Sequence, residues 1–518
     1  MAKLNIKITS ILDGMSPSWH FGSENQYLAG VSIDPEGSDS TFLRATGSIF
    51  PTRYTKFSAG KISAAPMWIL TNPKNTNIYT YLDNGGFLSY SNTLGSETLI
   101  GTPTAGAGNG AIYYNDYIYL MTPTDVSRYG SLSGGSPTLT NTYWTSTLSA
   151  TALTDTAYPS TRSVEYPNHA PHLHVDNKVY FCDYINGQGK IHYIKTTNTG
   201  VNNGSTYGAL DLPFGFLPMD IESFGTDLAI LATFEGQWAS GAIPKPGSGA
   251  LFLWDTFSSS FYRQINLGET IASSLLNKNG ELFLWSGTLG TGVRVGRYLG
   301  GDSIQPIINL KEGAPPVAGA VDSIGSKLFW GGFQTYPTAA AGIFSLGYAN
   351  AQLPGSALNF MGRISDSTNT LPIVTSLKLV SQSSTGSFYP YIGWRTDTTA
   401  AYGIDQLGGS AAYTSIFRSQ VFNVGQEFSI KKVRIPLSVA IASGMTITPK
   451  IYVDDEVTSF TLTTINSTNY PNSERTIDIS PVAVRGQHNF YLELAFTGTT
   501  EVAANLPINI SVETLRDI

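Results

Sequence analysis

One unit recurs along this chain and limits what it can fold into: a short strand, a tight polar turn, and a second strand rich in aromatics. Two neighbours show it. Ile271-Ala-Ser-Ser-Leu-Leu276 leads through Asn277-Lys-Asn-Gly280 into Glu281-Leu-Phe-Leu-Trp285. Val317-Ala-Gly-Ala-Val321 leads through Asp322-Ser-Ile-Gly-Ser326 into Lys327-Leu-Phe-Trp330. The same unit lies over Gly110 to Leu120, His172 to Phe181 and Met219 to Leu231, with weaker copies at Trp68 to Tyr81 and Ile373 to Trp394. The pair reads as the outer strands of a small sheet. In most copies a third strand follows, as at Lys190 to Ile194, Ala250 to Trp254, Val293 to Val295 and Gly342 to Leu346.

Taking Ile78, Ile118, Val179, Leu228, Leu282, Leu328 and Tyr391 as equivalent gives spacings of 40, 61, 49, 54, 46 and 63 residues. A repeat of that length with three or four strands is what a propeller blade requires. One blade cannot bury both faces alone, and closing the ring removes exposed sheet edges. No long stretch shows the i, i+3, i+4, i+7 apolar pattern of a helix. The expectation is an all-β chain with a six- or seven-bladed β-propeller-like domain over residues 41–408. An irregular stack of sheets is the alternative.

Beyond Gln406-Leu-Gly-Gly-Ser-Ala-Ala412 the strands alternate cleanly, as a sheet with one buried face demands. Phe490, Leu492, Leu494 and Phe496 share a face, as do Ile508, Ile510 and Val512, and Val433, Ile435 and Leu437. Residues 409–518 therefore read as a C-terminal β-sandwich, jelly-roll-like, and residues 1–40 as an N-terminal arm.

Charged residues are only 13% of the 518, and Gly is 53. With 41% hydrophobic and 12% aromatic content the chain has the material to order itself. The net charge is −7 and the densest basic group is Lys431, Lys432 and Arg434, so a nucleic-acid partner is not expected. Cys182 is the single cysteine, which excludes an intrachain disulfide. The N-terminus lacks an apolar signal-peptide core and no stretch approaches a membrane span. The expectation is synthesis in a reducing cytosol without export by the usual route. A low-charge, Gly/Ser/Thr/Asn-rich surface otherwise suits an adhesin or coat protein, and a virion component released by lysis satisfies both.

His169, His172 and His174, followed by Cys182 and Asp183, form the densest group of metal-ligating residue types. Residues i and i+2 of a strand share a face, so His172 and His174 could both reach one ion. The plainer expectation is that they bond to backbone, and no metal or other cofactor is expected. Asp454-Asp455-Glu456 and Asn277 to Glu281 resemble pieces of calcium loops and read more simply as hairpin turns. Asp220 and Glu222 are the best carboxylate pair for a glycosidase. Asp83-Asn-Gly-Gly-Phe87 lacks the flanking Ser and Trp of a sialidase Asp box, and Trp254-Asp255 alone does not indicate a WD40 repeat. Tyr113, Tyr114, Tyr117 and Tyr119 could stack on sugars or simply fill a sheet. No nucleophile elbow, H-E-x-x-H or Walker loop is present, so no catalytic residues are assigned and no enzyme is expected.

The opening Ile11-Leu-Asp-Gly-Met-Ser-Pro-Ser-Trp-His-Phe-Gly-Ser23 resembles the start of a group of tailed-phage structural proteins. Pro73-Lys-Asn75, Tyr79 to Asp83, Leu212-Pro-Phe-Gly-Phe-Leu-Pro218 and Phe428 to Pro436 extend that resemblance over most of the chain. It implies a propeller-containing virion component in the tail, fibre or baseplate, and carries no residue roles. The function expected is a non-enzymatic bacteriophage virion structural protein, a rigid assembly or host-facing module. Its partners would be other virion proteins in a symmetric or homo-oligomeric assembly, with a host surface glycan as a further ligand. The alternatives are a carbohydrate-binding receptor-recognition protein and a polysaccharide-degrading propeller enzyme.

Overall fold

A computed structural model of the chain describes residues 3–515 except 18–24, 32, 35–48, 52–53, 57–61, 74–76, 92–96, 104–105, 146–152, 156–163, 167–168, 196–205, 235–248, 269–270, 289–291, 348–355, 366–371, 383–386, 397–400, 408–412, 442, 455–456, 472–473, 482 and 499–501. Among the described residues, strands dominate and the one helical segment is the 3-10 turn Ala318–Ala320. Seven antiparallel sheets have four strands each. Their first strands are Pro66–Thr71, Gly110–Tyr114, Pro171–Leu173, Phe216–Phe224, Ile271–Lys278, Val321–Ile324 and Ile373–Gln382. Each of these packs beside the next, and the last packs beside the first. This layout is consistent with a β-propeller, with one sheet per blade.

The first strands thus line the axis. The strand–turn–strand pair expected at the outside of each sheet is the inner pair, because neighbouring first strands touch and the fourth strands do not share that ring. Ile78, Ile118, Val179, Leu228, Leu282, Leu328 and Tyr391 all sit on second strands and all are buried. Blade seven takes its outermost strand from the other end of the chain: Tyr54–Lys56 pairs with Tyr402–Leu407. The inner hairpins turn where Asn and Gly tolerate positive φ, as at Asn279 (+55°) and Gly280 (+83°).

Aromatic and branched residues fill the gaps between blades. Tyr79, Phe87, Ile118 and Tyr129 join blades one and two. Tyr180, Cys182, Phe252 and Trp254 join three and four, and Ile78, Tyr90, Tyr391 and Ile404 join seven and one. Blade approach is close enough to demand glycine at Gly110, where a Cβ would collide with the His169 carbonyl oxygen.

Besides two small two-stranded pairs, two larger antiparallel sheets lie outside the ring among the described residues. One has the order Lys3–Ile8, Ile508–Thr514, Phe428–Pro436, Thr476–Ile479. The other runs Ala29–Val31, Tyr413–Arg418, Asn489–Gly498, Met445–Val453, Ser459–Thr461. The segment expected as an N-terminal arm therefore supplies an edge strand to each sheet. The faces holding Phe490, Leu492, Leu494, Phe496, Ile508 and Ile510 belong to one core, which continues into Trp285, Trp330, Phe344 and Phe360 of blades five and six.

The second sheet is also buried on its opposite face. There the Arg418 guanidinium lies over the rings of Tyr336, Tyr452 and Tyr491, at 4.7, 5.0 and 5.7 Å from their centroids. Arg418 Nε donates to Glu493 Oε2 at 2.7 Å. Tyr336 follows the second strand of blade six, so this stack ties the two units together. Tyr27 Oη donates to Asn359 (2.8 Å) and Gln334 Nε2 to the Gly30 carbonyl (2.7 Å), adding to the same junction.

Candidate functional site

The axial edge of each first strand has backbone groups that no strand of its own sheet can pair. Side chains of the preceding blade satisfy many of them. In blade four, Asp220 Oδ2 accepts from the Leu275 N–H of blade five at 2.7 Å, while Oδ1 accepts from Ile221 N–H at 2.9 Å. Asp322 of blade six does the same, accepting from Leu379 N–H of blade seven (2.9 Å) and from Ser323 N–H (2.9 Å). Ser274 donates to the Pro316 carbonyl at 2.8 Å, and Ser376 to that of Pro66 at 2.6 Å.

His172 and Glu222 form the most concentrated part of this seam. The Ser223 N–H is shared between His172 Nε2 at 3.1 Å and Glu222 Oε1 at 3.0 Å, and Nε2 also lies 2.7 Å from the Ser223 hydroxyl. His172 Nδ1 lies 3.0 Å from Glu222 Oε1. Burial lifts the Glu222 carboxyl to about 7, against the opposing pull of the Ser223 and Asn277 backbone N–H groups and of Lys378. Burial lowers the His172 imidazole to about 4, with His174 contributing. Asp220, buried beside them, is raised well above the usual carboxylate range, first by burial and then by Glu222. The Lys378 ammonium reaches Asp322 at 3.1 Å.

The histidines do not converge on one point. His169 Nδ1 donates to the Cys182 carbonyl at 2.9 Å. His174 Nε2 donates to the Asp227 carbonyl at 3.3 Å and its Nδ1 accepts from Asp176 N–H at 3.3 Å. His172 and His174 do share a face, as strand alternation requires, but each meets a different group of blade four. Among the described residues no cluster of three or more His, Cys, Asp or Glu is arranged to hold a metal. Sequence reading did not single out His192, which accepts from Gly208 N–H (2.9 Å) and donates to Asp183 Oδ2 (3.1 Å). The Cys182 thiol is buried and pushed well up by that burial and by Asp220 and Asp183, which makes it a poor nucleophile.

The other candidates are structural in their contacts. Asp454 accepts from Gln487 and His488 N–H, each at 2.7 Å, and from Asn489 N–H at 3.2 Å; Asp455 and Glu456 lie outside the described residues. Asn277 Oδ1 caps the turn by accepting from Gly280 N–H at 3.2 Å. Asn84 Oδ1 does the same for Gly86 N–H at 3.0 Å, inside the Asp83 turn. Tyr114 and Tyr119 are core residues, the former donating to the Asn177 carbonyl at 2.6 Å. Tyr113 and Tyr117 are half-buried, and the Arg128 guanidinium lies 4.3 Å from the Tyr117 ring centroid. The indole of Trp254 is buried and donates to the Ser258 carbonyl at 2.7 Å. Lys431 pairs with Glu513, and Lys432 and Arg434 share Asp478.

The chain is similar in structure to WD40 β-propeller domains. The Neurospora crassa Pan2 WD40 domain matches 69% of this chain and 96% of its own, at 10% identity and a TM-score of 0.40. The β-propeller domain of Cps50 (Swd1) from Myceliophteria thermophila matches 68% and 99%, at 8% identity and 0.43. U3-55K matches 68% and 98%, at 11% identity and 0.42. No family model matches the sequence, and neither does any curated protein.

Proposed function

We propose that this chain is a non-enzymatic bacteriophage virion structural protein, a rigid part of a tail, fibre or baseplate. In this reading the four-stranded sheets form a closed seven-bladed ring and the five- and six-stranded sheets form a β-sandwich docked on its side. The observation that carries the proposal is the use made of the polar residues. His172, Asp220, Glu222 and Asp322 bond to the backbone of the next blade and stiffen the axis, where a hydrolase would present a carboxylate pair to an open cleft. The shared core of the two units supports a single stiff body, useful for transmitting position within a symmetric particle.

Mass spectrometry of purified particles tests this. The protein should appear at a fixed ratio to the other tail proteins, with matching density in the particle. Its absence from particles, or release of reducing ends from host polysaccharide by the isolated chain, would refute the proposal.

A further inference from the structure

Blades five and six part to leave a cleft of about 510 Å³. That is within the size of small-molecule sites, roughly 300–1,000 Å³. It lies where the inner hairpin turns of the two blades meet, at Lys278 and Asn279 on one side and Ser326 on the other. Its wall is apolar, made by Phe283, Ile307 and Leu328, while Ser326 and Ser356 bring hydroxyls to it.

Two cations and one carboxylate line the cleft. Arg297 donates through Nη1 to Glu281 Oε2 at 3.2 Å and through Nη2 to Gln305 Oε1 at 2.8 Å. Its Nε is buried and has no hydrogen-bond acceptor among the described residues. Lys278 forms no ion pair within 4.0 Å among the described residues, although it is half-buried. Burial lowers its ammonium to about 8, against the opposing pull of Glu281. One positive charge is thus left over beside an apolar wall and several neutral hydrogen-bonding groups.

We propose that this cleft binds an acidic sugar residue, a pyranoside with one carboxylate. Lys278 would meet the carboxylate, with the Arg297 guanidinium adding positive potential behind it. The apolar wall would receive the C–H face of the ring, and Ser326 and Ser356 its hydroxyls. A single excess charge suits a monoanion, and the Glu281 carboxylate disfavours a phosphate dianion. A purely architectural part needs no such site, so this goes beyond the virion reading.

Calorimetric titration of the full chain with methyl glucuronide, methyl glucoside and inorganic phosphate tests it. Saturable binding of the glucuronide is expected, about tenfold or more tighter than the glucoside, as a charge-assisted contact implies. Lys278→Met should remove most of that difference, Lys278→Arg should keep it, and the exposed Lys311→Met should leave it unchanged. If Lys278→Met does not fold, Ser326→Tyr, which fills the cleft from its rim, should abolish binding in its place. Equal affinity for the two glycosides, tighter binding of phosphate, no binding of any probe, or an unaffected blocked variant would overturn the proposal. Whether the chain occurs in particles does not alter these isotherms, so the two proposals fail separately.

Discussion

The pKa values of Glu222 and His172, whose side chains lie 3.0 Å apart, are shifted in opposite directions. The Glu222 carboxyl rises from 4.5 to about 7, so between those values the folded chain keeps a proton that the unfolded chain has lost, and stability falls as pH rises. His172 drops from 6.5 to about 4, so the unfolded chain holds the extra proton and stability rises with pH across that span. The two slopes nearly cancel in the native protein. Asp220, raised beside them, adds a falling slope of its own. Relative to the native chain, Glu222→Gln should therefore make the slope of stability with pH more positive between 4.5 and 7, and His172→Gln more negative between 4 and 6.5, each by at most about 3 kcal/mol across its window. Urea unfolding over that pH range checks it, and a change of the same sign in both variants would contradict it. Arg418 offers a second test. Its loss leaves Glu493 buried with only Lys450, at 3.4 Å, for compensation. Arg418→Ala should cost about 3 kcal/mol, while replacing both Arg418 and Glu493 by Met should cost much less. The histidine group was legible in the sequence because half of the six histidines fall within six residues. Their partners were not, since strand alternation fixes a side chain's face but not which neighbouring blade lies opposite. Arg418 gave no signal, since its strand Tyr413–Arg418 carries Thr414 and Ser415 on its two faces and does not alternate cleanly.

At the scale of the strand, Asp220 and Asp322 both fasten one axial strand to the next. Asp220 was read as half of a carboxylate pair, and Asp322 as the start of a turn, whereas it lies in the strand Val321–Ile324. Asp220→Ala would strip the acceptor from two buried N–H groups, those of Ile221 and Leu275, and should cost about 3 kcal/mol. Hydrogen exchange at Leu275 should accelerate more than at strands of blade one, whereas a uniform change across the ring would argue against a local seam. The recurring pairs themselves were visible from turn chemistry and period-two patterning. Their placement at the axis was not, because nothing within a repeat says which end of its sheet meets the other repeats.

The whole molecule is knit by contacts between its two ends. The shift to cleanly alternating strands marks the C-terminal unit, yet strands of only three residues, Ala29–Val31 and Tyr54–Lys56, carry too little pattern to announce partners more than 300 residues away. Residues 409–518 expressed alone lack Lys3–Ile8 and Ala29–Val31, and so expose a strand edge on each sheet. That fragment should aggregate or unfold at lower urea than the full chain, and addition of residues 1–34 through a linker should restore it. With one core spanning both units, the intact chain should unfold in one transition by calorimetry. Ring closure can be measured most directly by crosslinking its last joint. Cα atoms of paired antiparallel residues lie about 4.5–5.5 Å apart, within disulfide range. Cysteine pairs placed at 54/407, 55/406 and 56/405 should include at least one that oxidises to an intrachain disulfide, with an unchanged β-rich spectrum. Cys182 is buried and should not compete. If all three pairs stay reduced, or crosslink only between molecules, the ring is not closed by the N-terminal strand.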